Sequence, residues 1–150
     1  MTIRPCTQAD LDALLSLFYA AVHTACAADY TPAQLSAWAP ETPDSARWAE
    51  KLRQETFLTA EEDGTLLGFG AIEGTYLDLL YVRPDRQGRG IGTVLCDFLE
   101  QQCTGPVLTV HASRTARPFF EARGYRLILG QQVQRRGQML ENFVLKKDLA

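Results

Sequence analysis

Val82-Arg83-Pro84-Asp85-Arg86-Gln87-Gly88-Arg89-Gly90-Ile91-Gly92 decides how the rest of this sequence is to be read. It follows a strand-like run, Tyr76 to Val82, that stops at a proline. It precedes Ile91, Val94, Leu95, Phe98 and Leu99, spaced as one buried helix face. Strand, glycine turn and helix together predict an anion site. Glycines at 88, 90 and 92 leave the backbone bare and free to adopt left-handed dihedrals. Successive N–H groups can then converge on a phosphate at the helix N-terminus, where orphan donors and the macrodipole favour negative charge. Arg86 and Arg89 add cationic reach. Two common phosphate ligands do not fit. A P-loop needs Gly-Lys-Ser/Thr at the helix start, and here Gly92 is followed by Thr93-Val94. A dinucleotide fingerprint needs a further glycine where Leu95 stands, and an acidic residue ending a second parallel strand.

Outward from that loop, the chain reads as one domain spanning residues 1–150 with a core of ordinary size. Hydrophobic residues make up 46% and charged residues 22%, so disorder is not expected. The net charge of −3, with basic residues scattered apart from Arg135-Arg136 and Lys146-Lys147, argues against nucleic acid as a partner. No apolar run approaches the ~18 residues of a membrane span and no charged-then-apolar leader follows Met1, so the expected compartment is the cytoplasm. Cys6, Cys26, Cys96 and Cys103 form no C-x-x-C pair and have no histidine at ligand spacing. They read as buried free thiols, with no metal site.

The element order follows from caps and breakers. Thr2 to Pro5 suits a short strand, and Thr7 with Asp10 caps a long helix striped with Leu11, Leu14, Leu15, Phe18 and Val22, ending near Ala28. Thr31-Pro32 with Gln34 starts a short helix that Pro40 ends, and Thr42-Pro43 starts a third piece running to about Gln54. A meander follows: Thr56 to Glu61, a turn at Glu62-Asp63-Gly64, Leu66 to Glu73, Gly74, then Tyr76 to Val82. After the helix of the glycine loop, Val107 to Val110 reads as a strand buried on both faces and parallel to the strand before the loop. A helix carrying Pro118 ends at Gly124, and Tyr125 to Val133 and Met139 to Lys147 close the chain as a hairpin turning at Arg136-Gly137. The expected class is α+β with a mixed sheet.

Gln87-x-x-Gly90-x-Gly92, placed after the strand Leu77 to Pro84, closely resembles the pyrophosphate-binding signature of the GCN5-related N-acetyltransferases, the GNAT family. Ala116-Arg117-Pro118-Phe119-Phe120-Glu121-Ala122-Arg123-Gly124-Tyr125 resembles a second family motif, A-x-x-F-[YF]-x-x-x-G-[FY], and the element order is similar nearly end to end. Asp29-Tyr30-Thr31-Pro32, Trp38, Arg47-Trp48, Gln134 to Gly137 and Asn142-Phe143 look closest to its YafP-like branch.

The resemblance implies an acyl-CoA N-acyltransferase fold: a mostly antiparallel mixed sheet with a splayed parallel pair. It implies an acetyl-CoA-dependent enzyme, acting as monomer or homodimer on a primary amine of a small molecule or protein by direct attack on the thioester. A non-catalytic acyl-CoA-binding module is the alternative. Carried onto this chain, main chain at Leu80, Tyr81 and Val82 pairs with the pantetheine arm, as in strand addition. Gln87, Gly88, Arg89, Gly90, Ile91 and Gly92 then hold the pyrophosphate. Ser113 touches the arm, Phe119 and Phe120 pack near its thiol end, and the Val82 N–H is an oxyanion donor.

An alkyl amine of pKa about 10.4 needs a base at neutral pH. Where many members carry a glutamate this chain has Tyr76, and where a helix tyrosine often protonates the thiolate it has Phe120. Asp78 is therefore the first candidate base, expected to share a face with Tyr76 by strand alternation, and Glu73 and His111 are rivals. Tyr125 or Tyr81 is a candidate acid. The acceptor is expected between Tyr30, Trp38, Trp48 and Asp78, with Asp29 and Glu41 attracting a cation.

Overall fold

The computed structural model describes residues 1–149. Seven strands form one sheet: β1 (Thr2–Pro5), β2 (Thr56–Glu62), β3 (Thr65–Glu73), β4 (Tyr76–Val82), β5 (Val107–Ser113), β6 (Arg126–Arg135) and β7 (Gln138–Asp148). Their spatial order is β1-β2-β3-β4-β5-β7-β6, and among the described residues β4–β5 is the one parallel pair. The helices are α1 (Leu11–Ala25), α2 (Pro32–Trp38), α3 (Ser45–Gln54), α4 (Ile91–Gln101) and α5 (Arg117–Ala122). No helix among the described residues is long and apolar enough to cross a membrane.

The caps act largely as the sequence suggests. Thr7 and Asp10 close a capping box around a 3-10 turn, Gln8–Asp10, that leads into α1. Thr31 and Gln34 close another box at α2, with Pro32 in its first turn. The third start signal is shifted: Asp44, not Thr42, caps α3 by accepting from the Arg47 N–H at 3.1 Å, and Pro43 stays outside. Strand β5 runs on to Ser113, beyond the apolar run that announced it, because its outer residues pair with β7.

Each face of the sheet carries its own core. On one side α4 and α5 cover the sheet with Leu95, Leu99 and Phe120 over Leu77, Leu108 and Val110. On the other, α1, α2 and α3 bring Leu14, Phe18, Val22 and Trp48 onto Phe57, Phe69 and Ala71. Each fully buried leucine here stabilises the fold by roughly 2 kcal/mol. Cys26 and Cys96 are buried, whereas Cys6 and Cys103 are half-buried; all four are free thiols.

Two departures from regular pairing shape the middle of the sheet. Strands β4 and β5 are registered only at Tyr76–Thr109 and Leu77–Val110, after which β5 continues beside β7 and β4 continues beside β3. Beyond Leu77 the parallel pair gapes open. The second departure is a bulge in β4. Ala71 pairs with Leu79 and Ile72 with Leu77, so Asp78 has no partner on β3.

Candidate active site

The opening between β4 and β5 is a cleft of about 430 Å³ whose wall runs from Val82 through Gln87, Gly88, Gly90, Ile91 and Gly92. Arg83 donates its N–H to Leu67 on β3, and Val82 offers its carbonyl away from β3, to the Gln87 side chain. By the alternation of an antiparallel ladder, the Val82 N–H also faces the cleft. Gly88 and Gly90 lie at φ 75° and 79°, and a Cβ at either would meet nothing within 4 Å. The first amide spent inside α4 is that of Val94, donating to Gly90 O at 3.0 Å. The N–H groups of Ile91, Gly92 and Thr93 are left for a partner at the cleft. Bare amides at a helix start beside an open strand edge fit a diphosphate followed by a chain of amides.

Most of the residues assigned to this cleft from sequence line it: Leu80, Tyr81, Val82, Ser113, Phe119 and Phe120 all do. Arg89 does not, whereas Arg86 and Thr93 do. Gln87 is also used differently, because its amide donates to Val82 O at 3.1 Å and ties the loop to the strand end. Ser113 Oγ accepts from the Ala116 N–H at 3.0 Å, which fixes the turn into α5.

A second cavity, about 220 Å³, opens on the side of α2 and α3. The two share Trp38, Asp78, Tyr81, His111 and Ser113. Asp78 thus stands where the cleft and the cavity meet. Simple alternation would put it beside Leu80, which packs into the α4 side. The bulge turns it, with Tyr76, toward the second cavity.

Asp78 is not alone. Lys51 Nζ donates to its Oδ2 at 2.6 Å and to Glu55 Oε2 at 3.4 Å. The Glu55 carboxyl lies against Asp78, and burial, then the hydrogen bond and charge of Asp78, push Glu55 up to about 7 despite Lys51. Its Oε1 is buried without a donor, as suits a carboxyl that retains its own proton. The Glu55 carboxyl therefore keeps its proton into the neutral range beside Asp78. Lys51 and Glu55 carried no motif; only their places at the end of α3 opposite β4 bring them in. Burial, with Asp78 and Glu55 nearby, raises the Tyr76 phenol to about 12, which keeps it protonated. Tyr76 meets the His111 ring edge-on at 5.0 Å, and burial lowers the imidazole's pKa.

Other residues singled out from sequence lie elsewhere. Glu73 is exposed at the end of β3, outside both cavities. Tyr125 is buried behind α5, donating to Glu100 Oε2 at 2.8 Å, and burial with that carboxylate raises its pKa. It cannot reach either cavity. Tyr125→Phe is expected to leave thiol release unchanged and to lower stability by about 1 kcal/mol in denaturant unfolding. Tyr30 and Trp48 line the second cavity but are buried, and the Tyr30 hydroxyl is spent on Glu141 O and the Arg114 N–H. Asp29 accepts from the Thr115 hydroxyl and Glu41 faces α1, so neither draws a cation to this cavity. His23 lines neither cavity; its ring stacks on Tyr19 and its Nε2 meets Ala39 O.

The acetyltransferase (GNAT) domain family matches residues 26–146, about four-fifths of the chain. The chain belongs to the GNAT family. The uncharacterized N-acetyltransferase YafP of Escherichia coli is 35% identical over 144 residues, covering 96% of this chain and 93% of that one. A GCN5-related N-acetyltransferase from Rhodopseudomonas palustris superposes with a TM-score of 0.95 at 35% identity, over 99% of this chain and 95% of its own. The PaiA N-acetyltransferase of Thermoplasma acidophilum, solved in complex with coenzyme A, shares the fold at a TM-score of 0.75 and 18% identity, covering 99% of each chain. In this GNAT chain the helix position expected to hold a tyrosine is Phe120, buried between Phe119 and Tyr125, and offers no proton.

Proposed function

We propose that this GNAT chain transfers the acetyl group of acetyl-CoA to a primary amine of a small molecule or protein, with Asp78 as the base. The observation that carries this reading is the meeting of two cavities at Asp78 and His111: one cavity has a diphosphate cradle, the other an aromatic lining. Acetyl-CoA supplies the activated thioester. Main chain at Leu80 to Val82 and the amides from Gly88 to Thr93 would orient it, and the Val82 N–H facing the cleft would be the donor to the oxyanion. In the transfer the amine nitrogen forms a bond to the acyl carbon as the C–S bond breaks. The ammonium first gives one proton to Asp78, which frees the attacking lone pair, and the second nitrogen proton leaves after the bond forms and passes through solvent to the departing thiolate, of pKa about 8.5. Glu55 holds the pair's spare proton and Lys51 keeps Asp78 facing the cavity.

Calorimetric titration with acetyl-CoA, followed by thiol release against an amine panel, tests the assignment. Heat without thiol release from any amine favours the binding module, and absence of heat removes both readings.

The carboxyl pair also sets a pH dependence. Glu55 is raised toward 7, so its own proton must leave before it can relay one from Asp78, and turnover rises as pH increases through about 7. In Glu55→Gln the carboxyl that shares the proton is gone and the rising limb moves to lower pH. The acceptor's own ionisation is common to both enzymes, so the difference between their profiles isolates the pair. Superimposable limbs would remove Glu55 from the proton path.

A further inference from the structure

We infer that the acceptor carries an anionic group, a carboxylate or a phosphate, which Arg47, Arg135 and Arg136 receive at the mouth of the second cavity while its amine lies at Asp78. This deepens the transfer reading above and rests on it.

Three arginines line a cavity of about 220 Å³, in a chain whose net charge is −3. None of them forms an ion pair among the described residues. Arg135 donates to the Gln134 carbonyl and Arg136 to the Ala37 carbonyl, and the Arg47 guanidinium makes no hydrogen bond among the described residues. The acidic side chains in the same lining are already engaged. Asp78 is held by Lys51, Glu141 by Arg114 at 2.8 Å, and Asp44 caps α3. The cavity therefore has cationic capacity that the protein does not itself neutralise.

The arginines are also held in place. Arg136 at φ 46° and Gly137 at φ 81° make the tight turn between β6 and β7. That hairpin is fastened to α2 and the loop before it by Gln34 to Met139 O at 2.8 Å, Tyr30 to Glu141 O at 2.6 Å and Arg136 to Ala37 O at 2.8 Å. Its tip is thereby fixed over the cavity, opposite the α3 residue Arg47. Guanidinium forks suit the planar or tetrahedral oxygens of carboxylate and phosphate. Trp38, Tyr81 and Leu79 supply apolar wall between the two ends. A ligand with an amine at one end and an anion at the other satisfies both ends at once. A bare aliphatic amine leaves the arginines unused.

Matched acceptors decide the matter: phenylalanine against its amide, β-alanine against its amide, O-phosphoethanolamine against ethanolamine, and a lysine peptide without acidic neighbours. At least one anionic member should exceed its neutral partner by about tenfold or more in kcat/KM. Arg47→Gln and Arg135→Gln should each shrink that ratio with acetyl-CoA affinity unchanged, and added salt should shrink it too. Preference for the carboxylate or the phosphate pair identifies which oxyanion is taken. Neutral amines or the peptide acetylated as well as the anionic members would overturn the inference while leaving acetyl transfer intact. Should no member turn over, titration of the same pairs into coenzyme A-saturated protein decides it. Arginine-dependent heat from the anionic members alone supports the site, and no heat from any member overturns it.

Discussion

Gly90→Asp is expected to abolish acetyl-CoA binding, lowering affinity by on the order of 100-fold or more, about 2.7 kcal/mol. Gly90 sits at φ 79° as the residue before α4 on the wall of the cleft, and a Cβ there meets no atom within 4 Å, so the new side chain stands in open space beside the cleft rather than in the core. Its carboxylate would stand among the amides of Ile91, Gly92 and Thr93, where it both repels a diphosphate and competes for its donors. An aspartate before a helix ordinarily stabilises it, but from the extended region of backbone space. At a left-handed φ the loop forgoes a side-chain cap and leaves its donors to the ligand. Asp and Asn both tolerate that conformation, so the fold should survive. Gly90→Asn separates shape from charge: it should lose part of the affinity, and Gly90→Asp nearly all of it, with thermal midpoints close to wild type. Calorimetry on the three proteins reads the result. Full affinity in Gly90→Asp would remove the loop as the diphosphate site.

The loop was legible because its physics is local. Glycines at 88 and 90, a helix face and a terminating proline are all written within a few residues, and the cradle needs nothing from elsewhere. The order of elements along the chain was legible for a similar reason, since caps and turns such as Thr31-Pro32 and Arg136-Gly137 fix where elements begin and end. The acceptor side was not. Asp78 was picked out by simple alternation, yet it reaches the cavity through a bulge that no residue in Leu77-Asp78-Leu79 announces. Lys51 and Glu55 lie more than twenty residues from Asp78 and look like ordinary helix-end charges until α3 packs across β4. Tyr30, Trp38 and Trp48 do line the second cavity, but Asp29 and Glu41, expected beside them to attract a cation, lie elsewhere: Asp29 accepts from Thr115 and Glu41 faces another groove, while Arg47, Arg135 and Arg136 line it. Charge near a site says little until its partners are known, and partners are a tertiary fact.

Asp78→Asn is expected to lower turnover by roughly 10²- to 10³-fold, the usual worth of a positioned base, with acetyl-CoA affinity unchanged because the diphosphate cradle lies at the other end of the cleft. The substitution keeps shape and hydrogen-bonding capacity, so the bulge in β4 and the approach of Lys51 should persist. It has one further consequence. Asp78 is among the causes that hold Glu55 up near 7, so an uncharged neighbour lets the Glu55 carboxyl ionise at lower pH beside Lys51. Glu55 could then act as a substitute base from a poorer position, and the loss in the single variant would understate the role of Asp78. Combining Asp78→Asn with Glu55→Gln tests this. If Glu55 substitutes, the double variant falls well below Asp78→Asn alone, whereas Glu55→Gln in the wild-type background costs far less, a non-additivity expected of groups sharing one proton. Wild-type rates from Asp78→Asn across the pH range would instead hand the base to His111, which also stands at the meeting of the two cavities, because burial keeps the Tyr81 phenol there protonated.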